Sequence, residues 1–144
     1  MNSDMVVTFH GGSRVNARYK GFVIETDQPV YSGGDGSAPA PFDLFLASIA
    51  TCAGYYVLEF CKKRGISWEK ISLVLKKEID PEKKRIIRLV LEVKLPADFP
   101  DKYLNAVIRA VDICSVKRYI IDPFLFDTRP IKEKASDFSG LKNR

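Results

Sequence analysis

Three thiols hold most of the reactive potential of this chain: Cys52, Cys61 and Cys114. Their number is odd and their spacing matches no paired-ligand pattern, so neither a zinc site nor a structural disulfide framework is expected. Cys52 lies mid-way along an apolar run, with Ser48 four residues before it, Tyr55 and Tyr56 three and four after, and Glu59 seven after. On a helix these spacings put all of them on or beside one side. Cys61, nine residues on, points roughly the opposite way and reads as a core residue. Cys114 falls where one predicted helix gives way to another, and there backbone N–H groups and the helix dipole favour a thiolate. Free cysteine is also a common core residue, so the local sequence leaves Cys52 open between a structural and a reactive role. His10, the single histidine, stands at a strand end and reads as polar surface. No His–Cys pair or Ser/His/Asp set is evident from spacing.

The element that must position Cys52 is the stretch Pro41 to Arg64, PFDLFLASIATCAGYYVLEFCKKR. Proline suits the first turn of a helix and glycine, here Gly65, closes one. From Leu44 to Leu58 nearly every residue is apolar or small, so the apolar surface covers the whole circumference and predicts a helix buried on all sides. Ser48, Thr51 and Glu59, with the charges after Phe60, argue against a membrane span.

Before this helix, residues 5–10, 13–19 and 22–26 alternate as strands of an antiparallel meander, with Gly11-Gly12 and Lys20-Gly21 as turns. Asp27 to Ala40 reads as a mobile loop. Its Gly33-Gly34-Asp35-Gly36 lacks both a Gly-Lys-Ser/Thr ending and a GxGxxG pattern, so no phosphate or cofactor site is expected. After the helix, Ile71, Leu73, Leu75 and Ile79 face a second alternating run, Ile87, Leu89, Leu91, Val93 and Leu95, across the turn Asp80–Lys84. The central helix is the natural cover for the dry face of that pair. Tyr103, Leu104, Val107, Ile108 and Val111 recur at helical spacing. A break near Asp112 to Ser115 precedes a short helix, Val116 to Ile121, stopped by Pro123. Phe124 to Thr128 is expected as a last strand, and residues 131–144 as a polar tail that frays.

With 144 residues, 46% hydrophobic and 28% charged, the chain suits one soluble domain, taken as residues 1–130, with a sizeable core. The start MNSDMVVTFH has no basic region followed by a long apolar run, so a cytoplasmic location is expected. The net charge of +5 is spread over Lys76, Lys77, Lys83, Lys84, Arg85, Arg88 and Lys94, mostly on the polar side of the hairpin. That reads as a solvated face rather than a nucleic-acid surface.

The run Pro41-Phe42-Asp43-Leu44-Phe45-Leu46-Ala47-Ser48-Ile49-Ala50-Thr51-Cys52 resembles the start of the central helix in the OsmC/Ohr family, the osmotically inducible and organic hydroperoxide resistance proteins. The order of elements over residues 5 to 128 is similar too, with a second cysteine, Cys114, between the last two helices. The resemblance implies an α+β fold, OsmC-like, with antiparallel sheets packed around a long buried central helix in an intertwined homodimer. It also implies thiol-dependent reduction of organic hydroperoxides. Cys52 matches the peroxidatic thiol and Cys114 the resolving one; the sulfenic acid formed on the first condenses with the second, and a dithiol reductant restores both. An N-terminal arginine supports the thiolate in such peroxidases, and Arg14 fits best, with Arg18 second. Phe42, Phe45, Ile49, Tyr55 and Tyr56 offer an apolar lining suited to a small hydrophobic peroxide or another apolar ligand.

The chain departs from the family pattern at three positions. The family's peroxidases carry a glutamate directly after the proline, paired with the arginine; Phe42 stands there. Near the second cysteine they often carry a histidine before it and a proline after it, where Asp112 and Ser115 stand. These departures suit an OsmC-like branch distinct from the peroxidases that carry the glutamate. They leave a non-catalytic binder of an apolar small molecule, or a dimer module without ligand, as the competing readings. Cys52 reactivity separates them. No metal, cofactor, nucleic acid or membrane is expected as a partner.

Overall fold

The structure, a computed structural model, describes residues 4–134. Three strands, β1 (Val6–Phe9), β2 (Val15–Tyr19) and β3 (Phe22–Ile24), form an antiparallel meander in that order. A loop follows, and then the long helix α1 (Pro41–Arg64). The chain continues through the hairpin β4 (Ser72–Asp80) and β5 (Arg85–Lys94) into two short helices, α2 (Leu104–Asp112) and α3 (Ser115–Ile121). This α+β arrangement, two small antiparallel sheets and a long central helix, agrees with the fold class expected from the sequence.

The ends of α1 are set locally. Ala40 is extended, and its N–H donates to the Asp43 carboxylate at 3.0 Å. A carboxylate in the first turn also faces the positive end of the helix dipole. At the other end Gly65 takes φ 64°, and the N–H of Ile66 returns to the Cys61 carbonyl at 3.0 Å. A side chain is disfavoured in that left-handed conformation, so glycine closes the helix without strain.

Burial around α1 differs from the expectation of a helix enclosed on all sides. Within one chain it buries a stripe, Ile49, Ala53, Val57, Phe60 and Cys61, spaced to fall on one face. That stripe meets Phe99, Val107 and Val111, with Ile71, Leu73, Leu91, Val93 and Leu95 of the hairpin side packed against it. Phe42 and Phe45 at one end and Tyr55 in the middle stay exposed. Among the described residues α1 is the one helix long and apolar enough to cross a membrane, but its buried stripe is the core of this fold.

The hairpin pairs as its alternation leads one to expect, apolar side chains on one face, and its register near the helix sets Leu73 opposite Val93 and Leu75 opposite Leu91. A bulge at Glu78/Ile79 shifts the pairing beyond. Past it Ile79 and Ile87 are exposed, because the hairpin there runs beyond the end of its cover. On the polar face Lys76 and Lys94 reach the Glu92 carboxylate at 2.6 and 2.5 Å, and Arg88 pairs with Glu78 at 3.3 Å. Those hairpin cations are thus spent on neighbouring acids.

Two further expectations are corrected. The loop between β3 and α1 is organised around a buried carboxylate and is not an open, loosely held segment. Asp27 is 1% exposed. Its Oδ1 accepts from the Gln28 N–H at 2.7 Å, and its Oδ2 from the Asp35 N–H at 3.2 Å, the Ser37 N–H at 3.0 Å and the Ser37 hydroxyl at 2.7 Å. These bonds, those to Ser37 first, hold its pKa down at about 2. The loop winds so tightly that a Cβ on Gly34 would lie 1.9 Å from the Gln28 carbonyl oxygen. The second correction is that Phe124–Thr128 forms no strand among the described residues. It runs irregularly, with Leu125 97% exposed and Phe126 nearly as open. A strand exists only where a neighbour supplies its hydrogen bonds, and this segment finds none among the described residues. Of the expected polar tail, residues 131–134 are irregular and exposed, and residues 135–144 lie outside the described residues.

Candidate active site

Cys52 sits at mid-length on α1, half-buried, beside the start of α3. Cys114 is the residue that caps α3, and it is fully buried. The Cys114 N–H turns back to the Val111 carbonyl at 3.2 Å, ending α2, while its own carbonyl accepts the Arg118 N–H at 3.2 Å and starts α3. That tight corner between the helices brings residues 114–116 onto Cys52. Ser115 Oγ lies 3.5 Å from Cys52 Sγ.

The two thiols are electrostatically unlike. Burial works against a thiolate at Cys52, yet the Cys114 thiol, the backbone N–H groups of Val116 and Ser115, and the Ser115 hydroxyl all donate to it, and their sum brings its pKa below the usual thiol value. Cys114 is pushed up, by its own burial first and then by donating to Cys52. One proton is therefore shared unequally: Cys52 is the sulfur that ionises and Cys114 the one that stays protonated beside it. Cys61 belongs to the core cluster, fully buried, and desolvation raises its pKa. It is an inert thiol, as its place on the opposite face predicted.

The other residues singled out from the sequence fall in separate places. Arg14 is exposed in the turn between β1 and β2, where its Nε donates to the Gly11 carbonyl at 3.4 Å. Arg18 is exposed on β2. The three-stranded sheet is tied to the 27–40 loop through Ser13 Oγ on the Gly33 carbonyl, and the Val15 N–H donates to the Thr26 carbonyl just before that loop. Helices α2 and α3 and strand β4 are the elements with substantial contact to α1. Among the described residues, those that act on the Cys52 sulfur are Cys114, Ser115 and Val116, and no arginine is one of them. Phe42 and Phe45 form an aromatic pair with centroids 5.6 Å apart at the start of α1, about two to three turns before Cys52. Ile49 is buried. Tyr55 and Tyr56 meet edge to face at 5.6 Å and line a groove of about 410 Å³ with Glu59, Ala110 and Ile113. Ser48 turns its hydroxyl to the Phe45 carbonyl at 2.7 Å and is spent there.

A cleft of about 580 Å³ opens at the corner, lined by Ser115, Arg118, Tyr119, Ile121 and Asp122. Another, about 430 Å³, lies at the C-terminal end of α1 among Arg64, Lys70, Phe99 and Tyr103. It is about 18 Å along the helix axis from Cys52 and has no part in the thiol chemistry. Among the described residues no group of three or more His, Cys, Asp or Glu side chains is arranged to hold a metal ion.

Sequence reasoning missed two residues, one in the loop before α1 and one at the thiol corner. Asp27, which fixes the loop entering α1, acts through residues up to ten positions away, and only its place at the end of a strand hinted at a turn role. Ser115 was noted as a departure from a family pattern, but the contact with Cys52 spans 63 positions and no local signal carries it.

No curated protein matches the chain in sequence. Among solved structures, a candidate osmotic stress induced and detoxification response protein from Psychrobacter arcticus superposes with a TM-score of 0.68 at 22% identity, over 82% of this chain and 87% of that one. An OsmC-like protein from Mycoplasma pneumoniae gives 0.62 at 14% identity, over 85% and 89%. An organic hydroperoxide resistance protein OsmC from Legionella pneumophila gives 0.51 at 21% identity, over 83% and 90%. At these identities the likeness is one of fold. The sequence model described as OsmC-like protein matches residues 34–127, a span that takes in α1, both candidate thiols and the corner between them, and by that match the chain belongs to the OsmC-like protein family.

Proposed function

We propose that this protein reduces organic hydroperoxides with Cys52 as the attacking thiol and Cys114 as the resolving one. The observation that carries the reading is the unequal thiol pair: a half-buried sulfur whose ionised form is held by donors from the α2–α3 corner, next to a second sulfur kept protonated. The thiolate attacks one peroxide oxygen, the O–O bond breaks and an alcohol leaves. Cys52 becomes a sulfenic acid, which condenses with Cys114 to a disulfide and releases water. A dithiol donor then exchanges with the disulfide and restores both thiols. The hydroperoxide resistance of the Legionella relative is in the same class of chemistry.

The working unit of this reading is a homodimer in a reducing, cytoplasmic setting, each copy contributing residues 1–130 as its folded domain. Apolar surface supports it: Phe42, Phe45 and Tyr55 on α1 and the unpaired segment Phe124–Phe126 are exposed in one chain. With the three-stranded sheet standing off from α1, Arg14, or Arg18 in its place, reaches the thiol only from a second copy. The apolar residues Phe42, Phe45, Ile49, Tyr55 and Tyr56 then surround a hydrophobic peroxide at the closed interface.

The test is turnover of cumene hydroperoxide with a dithiol donor. Native protein is expected to consume peroxide, Cys52→Ser to lose turnover entirely, and Cys114→Ser to stop after one equivalent with a sulfenic acid trapped on Cys52. A native protein that leaves the peroxide intact while its Cys52 alkylates readily refutes the reading in favour of a non-catalytic binder of an apolar molecule.

A further inference from the structure

We propose that Ser115 is a catalytic residue of the hydroperoxide reduction set out above, and rests on that reading: its hydroxyl holds the attacking sulfur and then receives the oxygen that leaves. Three observations converge on it. Its Oγ is 3.5 Å from Cys52 Sγ, within the range of a hydrogen bond to sulfur. Ser115 also lines the cleft of about 580 Å³ with Arg118, Tyr119, Ile121 and Asp122. The hydroxyl therefore belongs both to the reacting sulfur and to a space large enough for a small organic molecule. Finally, the hydroxyl has no bond in the described structure other than the one to Cys52, so it is free to change partners during a reaction.

The chemistry follows from what a hydroxyl offers, one donor and two acceptor positions. Before reaction the O–H donates to the Cys52 thiolate, while a lone pair is able to accept the O–H of an incoming hydroperoxide. Cys52 attacks the terminal peroxide oxygen; the S–O bond forms, the O–O bond breaks, sulfur loses two electrons and the peroxide gains them. Negative charge moves from sulfur to the departing alkoxide. The Ser115 O–H, no longer facing an anion on sulfur, swings its donation to that alkoxide, where a positioned donor stabilises developing charge. The proton that Cys52 gave up on ionising returns to the alkoxide through water in the open cleft, and Ser115 ends unchanged. A proline here, as the resemblance to the family's peroxidases would place, has neither this hydroxyl nor a backbone N–H. In this chain, where Phe42 stands in place of the carboxylate that would orient an arginine, Ser115 supplies donors of its own.

Ser115→Ala, Ser115→Thr and Ser115→Val are compared with the native homogeneous protein. Cys52 alkylation by iodoacetamide is followed across pH by peptide mass, and kcat/KM is measured for cumene hydroperoxide. Ser115→Ala is expected to alkylate about fivefold more slowly at neutral pH, with its profile moved to higher pH, the loss of about one hydrogen bond. Its kcat/KM is expected to fall further, about 20-fold, since the hydroxyl also serves the leaving oxygen. Ser115→Thr restores both, and Ser115→Val, equal to threonine in shape, does not. That last comparison carries the test should the alanine variant fail to fold. Unchanged alkylation and unchanged kcat/KM in folded Ser115→Ala and Ser115→Val overturn the proposal while leaving the Cys52 peroxidase intact. A loss in kcat/KM with an unmoved alkylation profile overturns the contact with sulfur. Native protein without any peroxide turnover is the distinct failure of the underlying reading and overturns the catalytic role with it.

Discussion

Oxidation of the thiol pair should be visible as stability. A Cys52–Cys114 disulfide would close a loop of about 60 residues, and the chain-entropy relation assigns such a loop roughly 4 kcal/mol of stabilisation through the unfolded state. Against this, the oxidised state loses the donors now held on the Cys52 sulfur: the Ser115 and Val116 N–H groups and the Ser115 hydroxyl. At about 1 kcal/mol each, partly recovered by water at a half-exposed site, these remove roughly 2 kcal/mol. The net expectation is a gain of about 2 kcal/mol, or a rise of about 1 M in the urea midpoint at a slope of about 2 kcal/mol per M. The assay treats native protein with one equivalent of hydroperoxide, maps the 52–114 peptide by mass, and compares urea unfolding with and without a reductant at one fixed protein concentration. A mapped 52–114 disulfide whose midpoint lies below that of the reduced protein would show that the corner has to be forced open to make the bond. That would refute the idea that the fold holds these thiols ready for each other. The same experiment on Cys61→Ser should give the same shift, because Cys61 lies in the core and takes no part.

Acid should release the loop that leads into α1. Asp27 is held at about 2 against an ordinary 3.8, so its share of stability is complete above about pH 3.8 and is lost as pH falls towards 2. Asp27→Asn should remove that acid dependence and speed hydrogen exchange at the Asp35 and Ser37 amides already at neutral pH; unchanged protection there would mean the carboxylate does not organise the loop. Phe42→Glu should raise the rate of Cys52 alkylation at neutral pH and speed peroxide turnover, by giving an arginine from the second copy an acid to lean on. No gain in either, with native Cys52 already alkylating fully below about pH 6, would make the missing carboxylate irrelevant. Sedimentation at micromolar concentration should give a dimer, its interface above about 2,000 Å² as for obligate pairs; a stable monomer would remove the closed site.

What the sequence determined by itself is the set of features written in neighbouring residues. Pro41 and Gly65 bound α1 because one lacks an N–H where none is needed and the other tolerates φ 64°. The alternation of Leu73 and Leu75, and of Leu91 and Val93, settled which face of the hairpin is dry, since a slip by one residue would turn every apolar side chain to water. The helix break before Ser115 and the run from Pro41 to Cys52 were equally local, and the second carried the family. Tertiary structure alone decided the rest. Phe124–Thr128 has the composition of a strand, but hydrogen-bond partners make a strand, and none lies among the described residues. The apolar circumference of α1 did not say that one chain would bury only the Ile49–Ala53–Val57–Phe60 stripe, because hydrophobicity states what gains from burial, not which surface is available to bury it. Asp27 and Ser37, or Cys52 and Ser115, meet across ten and 63 positions. Hydrogen bonds of a few ångströms depend on where the backbone turns, and no periodicity records that distance.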